Sequence, residues 1–373
     1  FYKAAREMGY HPFPIPASNT SATYVNPYGC QMGPCNFCGF CSDYGCLNYS
    51  KASPNINIFP VLRGRKNFEM RTLAQVLKVN LTADGKMATG VNYLDAGGQE
   101  WEQPADIVIL GAFSLYNVHL MLISKIGPAY DPVTKTGTVG KNYSYQNLNR
   151  VSLFFDKTVH ANQFMGIGGG GTTMDDLNGN RNDPTKSGFI GGGIVWARQP
   201  GGGPVRGIAT APGVPGWGSD WKKGAKDAMR HSFYYEVQGS CMAYDDAYLD
   251  LDPNYKDAFG RPLLRMTFDW HDNEIAASAY LVDKAQEMCK VLNPLATKGD
   301  AKKPGTHYNI NQYQSTHTVG GAIMGADPKT SALNKYLQSW DVPNVFAPGA
   351  NAFPQNNGYN PTGMVGALAY WCA

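Results

Sequence analysis

A mixed α/β (α+β) fold is predicted by three features of this 373-residue chain. The run ILGAFSLYNVHLMLISKI (109–126) reads as a strand, a tight turn and a helix with apolar residues at helical spacing. Alternating segments around it carry hairpin signals, Ala-Asp-Gly at 83–85 and Ala-Gly-Gly at 96–98. The run NEIAASAYLVDKAQEMCKVLN (273–293) places small and apolar residues on one helical face and charge on the other. With 43 glycines, 24 prolines and 16% charged residues, the composition favours turns and long loops over a helical bundle.

In chain order, residues 1–25 predict a helix end and then a proline-rich extended piece, HPFPIPAS. INIFPVLR (56–63) and FEMRTLAQVLKVNL (68–81) predict strands, TADGK a turn, and residues 87–112 further strands leading into the helix over 113–126. Residues 130–225, rich in Gly, Pro, Asn and Asp, predict a sheet with long loops on the substrate side. YYEVQGS and PLLRMTFDW read as strands, and the last 70 residues as loops, one short strand (NVFAPGA) and a final helix from Pro361. There are no internal repeats.

The net charge of +3, without a Lys/Arg run, gives no footing for nucleic-acid binding. No stretch reaches 18 consecutive apolar residues. The chain begins without Met, already in helical register, and ends within a helix, so a longer polypeptide is expected.

Five of the eight cysteines fall within one 17-residue window: Cys30, Cys35, Cys38, Cys41 and Cys46. A C-x2-C step brings two sulfurs close enough to share a centre, so this loop predicts an iron–sulfur cluster, with zinc or disulfides as alternatives. Cys241, Cys289 and Cys372 are scattered and read as core residues. Gly166, Gly168 and Gly171 match G-x-G-x-x-G, but a polar loop follows rather than an amphipathic helix, so a flexible glycine loop is expected there.

Two C-terminal segments suggest chemistry. In STHTVGGAIMG, His317 precedes a glycine pair; in PGANAFPQNNGYNPTG, Asn360 stands before Pro361 at the start of the last helix. A histidine and an amide meeting there can share one substrate hydroxyl, the imidazole taking its proton and the amide holding its oxygen. Tyr313, Gln314 and Asn357 are expected to line that pocket. The other histidines, His11, His119, His160, His231, His271 and His307, show no partner pattern.

These segments resemble a family. H-x-x-G-G-x-x-M-G, then G-A-x-x-F-P and N-P-T-G before a final helix, are similar to the C-terminal block of the glucose–methanol–choline (GMC) flavoprotein oxidoreductases. ILGAFSLYNVHLMLISKIG resembles their second signature and VGKNYSYQN the segment after it. Within the family, NPYGCQMGPCNFCGFC looks most like the iron–sulfur-containing flavoprotein subunits of bacterial gluconate 2-dehydrogenases; the adjacent-cysteine start of the glucose and fructose dehydrogenases is absent.

The resemblance implies FAD, with a cysteine-rich cluster segment at 1–56, part of the FAD-binding domain at 57–145, an antiparallel-sheet substrate domain at 146–310 and a catalytic, FAD-binding segment at 311–373. It implies that His317 is the base and Asn360 its hydrogen-bonding partner. Val76 would meet the adenine, Gly111 and Ala112 would lie beside the cofactor, and Ala350, Asn360, Pro361 and Thr362 would approach the pyrophosphate and isoalloxazine. The family's N-terminal ADP-binding segment is missing from this chain. A three-iron cluster (3Fe-4S) on Cys35, Cys38 and Cys41, with Cys30 as the substitute and Cys46 the weakest candidate, would pass electrons outward. The implied function is oxidation of a secondary alcohol of a sugar acid, gluconate to 2-ketogluconate. The implied partners are a cytochrome c subunit, a small escort subunit and, indirectly, the quinone pool; the implied location is periplasmic, attached to the inner membrane through a partner subunit. A glucose, fructose or sorbitol dehydrogenase, an oxygen-using oxidase and a metal-stapled carbohydrate-binding protein are the competing expectations.

Overall fold

The structure, a computed structural model, describes every residue except Phe40, Ser42, Asp43, 162–170, 199–208 and 313–314. Two hydrophobic cores organise it. The first lies under a six-stranded antiparallel sheet whose strands run, in spatial order, Phe13–Pro14, Thr172–Met174, Gly193–Arg198, Ser232–Gly239, Asn147–Phe154 and Ala296–Gly299. Helix Asp272–Val291 packs across it. Asp272 and Glu274 in its first turn and Lys290 in its last complement the helix dipole. Ile275, Ser278, Leu281, Val282, Ala285, Met288 and Cys289 make its buried stripe. Beyond the last turn Asn293 takes a left-handed φ of 49°, a conformation asparagine tolerates. Leu281 and Met288 meet Val151, Leu153, Val195, Tyr235 and Val237 from the sheet. Each such buried side chain contributes roughly 1.5–3 kcal/mol of apolar burial.

The second core surrounds helix Ser114–Ile123, whose Val118 and Met121 are fully buried beside Tyr143, Leu249, Leu333, Leu337 and Val345. A three-stranded sheet (Gln75–Leu81, Ala88–Leu94, Glu100–Pro104) flanks it. Strand Val108–Ile109 pairs in parallel with Val345–Phe346, and this pair ties the two ends of the second core together. Asn344, at its edge, accepts from the Ala88 N–H and donates to the carbonyls of Ala88 and Asp106.

Two local expectations are corrected. INIFPVLR is helical, forming the short turns Pro54–Asn57 and Phe59–Leu62. Its alternating apolar residues imitate a strand, but Pro54 and Pro60 each sit in a first helical turn, where a fixed φ favours the helix and the lost N–H costs nothing. Within the Gly/Pro-rich middle, helix Gly218–His231 forms where only sheet and loop were expected. Gly171 leads into the strand Thr172–Met174 before the turn at 175–181, while Gly166 and Gly168 lie outside the described residues. No helix among the described residues is long and apolar enough to cross a membrane.

Candidate active site

His317 is built into the second core by the strand Ser144–Tyr145, which pairs with Thr318–Val319 in the register Tyr145↔Thr318. The Tyr145 hydroxyl donates to the Ser315 carbonyl at 2.6 Å and accepts from the Ser315 N–H at 2.8 Å, so it pins the chain two residues before His317. The His317 N–H donates to Ser315 Oγ (3.2 Å), and its carbonyl accepts from buried Asn356 Nδ2 (3.1 Å). Its ring Nδ1 lies 2.5 Å from Gln146 Oε1. Half-buried, His317 is held below the ordinary histidine value of 6.5 by loss of hydration, with buried Glu236 acting the other way. Burial thus favours the neutral imidazole, the form able to accept a proton.

The glycine pair after His317 is sterically required. Gly320 has φ +78°, and a Cβ there would stand 2.1 Å from the Asn142 carbonyl oxygen. Gly140, in the VGKN segment, has φ +100° and the same constraint against Leu249 O. These close approaches let Gly320 N–H donate to Ala350 O at 3.0 Å and Gly321 N–H to Lys141 O at 3.1 Å. Ala350 is therefore brought beside the segment that carries His317.

Ala350 also sits at the carboxyl end of the parallel strand pair, as do Gly111 and Ala112 on the neighbouring strand. Leu110 N–H donates to Phe346 O (2.7 Å). Ala112 N–H donates to Asn117 Oδ1 (2.8 Å), and Asn117 Nδ2 donates to Asn351 Oδ1 (2.9 Å). Gly111 and Ala112 are exposed, and nothing lies within 4 Å of a Cβ built on Gly111. The helices that begin at Ser114 and Thr362 have no side-chain cap and no acidic residue in their first turns, so their positive ends remain open to an anion. Open backbone at the carboxyl ends of parallel strands, beside uncapped helix starts, fits a flavin dinucleotide. Val76 lies on strand Gln75–Leu81 opposite Tyr93, and its carbonyl accepts from Arg261 Nη1 at 2.8 Å.

Asn360 is exposed, and no hydrogen bond joins it to His317 among the described residues; Pro361 and Thr362 follow it into the last helix. The amides that touch His317 are Gln146 and Asn356. Both are polar residues inside quoted motifs, VGKNYSYQN and PQNNGYNPTG, but only chain closure shows that they meet the histidine. Tyr359, one residue before Asn360, donates its hydroxyl to Asp175 Oδ2 at 2.8 Å. Burial, followed by that carboxylate, pushes its phenol well above the usual range. Asn357 is exposed, and Tyr313 and Gln314 lie outside the described residues.

Sequence reasoning also missed Lys302, an almost fully buried cation next to Asn147. Its Nζ donates to Asn147 Oδ1 (2.8 Å), Asn149 Oδ1 (3.1 Å) and Leu148 O (3.3 Å), and lies 4.5 Å from the Trp270 ring. Burial lowers its pKa to about 8, against the opposing influence of Asp300 and Cys241. A lysine at the end of a loop carries no sequence signal for such a role.

The cysteine loop is organised differently. Cys30 N–H donates to Asn26 Oδ1 (2.9 Å), Cys35 N–H to Thr20 O (2.8 Å), and Lys51 Nζ to Tyr44 O (2.8 Å). Cys30, Cys35, Cys41 and Cys46 are partly exposed, Cys38 is exposed, and none is in a disulfide. No group of three His, Cys, Asp or Glu side chains among the described residues is arranged to hold a metal, so Cys30, Cys35, Cys38 and Cys41 do not converge. The thiol donors suit an iron–sulfur cluster, but this arrangement of them does not. Burial raises Cys46, yet the backbone N–H groups of Lys51, Ser50 and Asn48 together bring its pKa below the free-thiol value. Cys241 and Cys289 are buried thiols pushed up to about 12, as inert core residues should be.

Two models of the GMC oxidoreductase family match the chain, over residues 2–147 and 243–369. The gluconate 2-dehydrogenase flavoprotein of Pantoea cypripedii is 55% identical over all 373 residues, which are 61% of that protein. The 2-methyl-1,2-propanediol dehydrogenase of Mycolicibacterium austroafricanum is 27% identical over 81% of this chain and 53% of its own length. The chain thus spans little more than half the length of these curated relatives. The crystal structure of pyridoxine 4-oxidase from Mesorbium loti matches with a TM-score of 0.54 at 14% identity, over 86% of this chain and 60% of that one, a likeness of fold. The two family models cover both ends of the second core, and with them the residues around His317: the chain belongs to the GMC oxidoreductases.

Proposed function

We propose that the protein containing this chain is an FAD-dependent dehydrogenase that oxidises the C2 hydroxyl of gluconate to the ketone. The observation that carries this reading is a hydrogen-bonded His317 set beside the open carboxyl ends of the parallel strand pair. The substrate class rests on the 55% identical gluconate 2-dehydrogenase flavoprotein. His317 takes the hydroxyl proton as the C–H bond breaks, so neither a free alkoxide nor a carbocation has to form. Bound FAD would supply the two-electron acceptor for the hydride. The Asn360 amide, exposed at the start of the last helix, is assigned to the substrate oxygen. Gly111, Ala112, Ala350, Pro361 and Thr362 are assigned to the cofactor through their backbone, with Val76 toward the adenine.

The same reading gives the five-cysteine loop to an iron–sulfur cluster of the 3Fe-4S type. Its support is the donor set alone: five free thiols in one window. Transfer to a cytochrome c subunit and the quinone pool, an escort subunit and a periplasmic, membrane-attached location are proposed on the resemblance alone. The test is anaerobic mixing of the full-length, flavin-loaded protein with gluconate. Bleaching of the flavin band faster than with glucose, fructose or sorbitol is expected; bleaching by one of those sugars and not by gluconate overturns the substrate. Iron and acid-labile sulfide per chain decide the cluster, and zinc or no metal overturns it.

A further inference from the structure

Gln146 is completely buried, at the point where strand Ser144–Tyr145 gives way to strand Asn147–Phe154. Among the described residues its side chain makes three hydrogen bonds: Oε1 with His317 Nδ1 at 2.5 Å, and Nε2 with Gln238 Oε1 and with the Tyr359 carbonyl, each at 3.4 Å. The carbonyl decides which way the amide points. A main-chain carbonyl can only accept, so the NH2 end must face Tyr359 and the oxygen is left for the imidazole. An amide oxygen can only accept as well, so His317 must carry its proton on Nδ1. A neutral imidazole has one N–H, and Nε2 is therefore the bare nitrogen.

We propose that Gln146 is the positioning residue that commits His317 to the tautomer with Nε2 as the base. The inference rests on the reading of His317 as the proton acceptor. Gln146 is itself held: Gln238 accepts from it and donates in turn to Glu236 Oε1 at 3.4 Å, a buried polar line across the paired strands Asn147–Phe154 and Ser232–Gly239. An amide suits this position better than a carboxylate. It orients the ring without adding a full negative charge that would keep the imidazole protonated near neutral pH. When His317 takes the substrate proton, Nδ1–H stays on Gln146 and the new N–H forms at Nε2, so no proton has to move through the amide.

The first experiment leaves Gln146 unchanged. The full-length, FAD-loaded protein is labelled with 15N-histidine, and the His317 signals are identified by their loss in His317→Ala. A protonated-type Nδ1 with an unprotonated-type Nε2 is expected, and the reverse pattern overturns the proposal. In Gln146→Leu the two tautomers should mix and kcat should fall about 10–100-fold with KM little changed, as for outer partners that orient a reactive imidazole. Gln146→Glu should restore the single tautomer and move the acid limb of kcat/KM to higher pH. A Leu variant with wild-type kcat and a single tautomer removes Gln146 from this role, as does a Glu variant with an unmoved limb. Full turnover in His317→Ala overturns the base assignment instead, and the labelling result stands apart from it.

Discussion

His317 and the cysteine loop are two places where this chain offers reactive side chains, and they are prepared in opposite ways. Around His317 the folded chain has already made the bonds: Ser315, Asn356 and Gln146 hold its N–H, carbonyl and ring, and Tyr145 holds Ser315. In the loop the backbone is tied by Asn26, Thr20 and Lys51 and Cys46 Sγ accepts from the Ser50 N–H, while the cysteine sulfurs do not come together. A base must be aimed before substrate arrives, since reorganisation during the reaction costs rate. If the proposed cluster binds there, the sulfurs would have to converge around it, and that ordering would draw on metal-binding free energy.

That contrast is sharpest under mutation. His317→Ala should lower kcat by roughly 10²–10⁴-fold, about 2.7–5.5 kcal/mol of barrier, while flavin absorbance per chain stays unchanged. Unchanged turnover would mean that the bonds around the ring serve the fold alone. Leu281→Ala, in the core under the six-stranded sheet, should cost about 2–5 kcal/mol in denaturant unfolding. Lys302→Met leaves Asn147 Oδ1 and Asn149 Oδ1 without that donor, for about 1–3 kcal/mol, and should loosen the strand that follows Gln146. A variant as stable as wild type would show that the buried cation is dispensable.

Acid should act on the fold through His317 and His119. His317 and His119 both have folded pKa values lowered below 6.5, chiefly by burial. The unfolded chain therefore binds more protons just below pH 6.5, and stability should fall as pH drops from there through the folded values. Above 6.5 both are neutral in both states and this dependence vanishes. His119→Gln should flatten the fall; an identical pH–stability curve would assign it to other groups. The smallest effect belongs to the loop: without metal, Cys38→Ser should change stability by less than about 0.5 kcal/mol, because Cys38 is exposed and unlinked. The same substitution should lower iron retention, and unaltered iron would take Cys38 out of the ligand set.

The sequence showed the helices and strands whose pattern is local and long. Helix Asp272–Val291 carries its apolar stripe and its end charges in plain view. INIFPVLR misled because β-branched alternation and proline-started turns compete over eight residues, and the prolines prevailed. His317 was legible from the glycine pair behind it, whose steric need the Asn142 carbonyl and the Leu249 and Val118 side chains explain. Gln146 was not, because nothing in VGKNYSYQN tells an inward amide from an outward one. Its meaning arises from a contact across 171 positions.

The parallel pairing of Val108–Ile109 with Val345–Phe346 has a consequence for timing. Asn344 and Ala88, which brace it, are 256 positions apart. During synthesis at about 5–20 residues per second, the first strand waits roughly 10–50 s for its partner. The six-stranded sheet lacks only its last edge strand, Ala296–Gly299, when residue 291 completes the helix that covers it. The floor beneath Gly111 and Ala112 closes only after Val345 and Phe346 have left the ribosome, so flavin capture cannot precede the arrival of that distant strand.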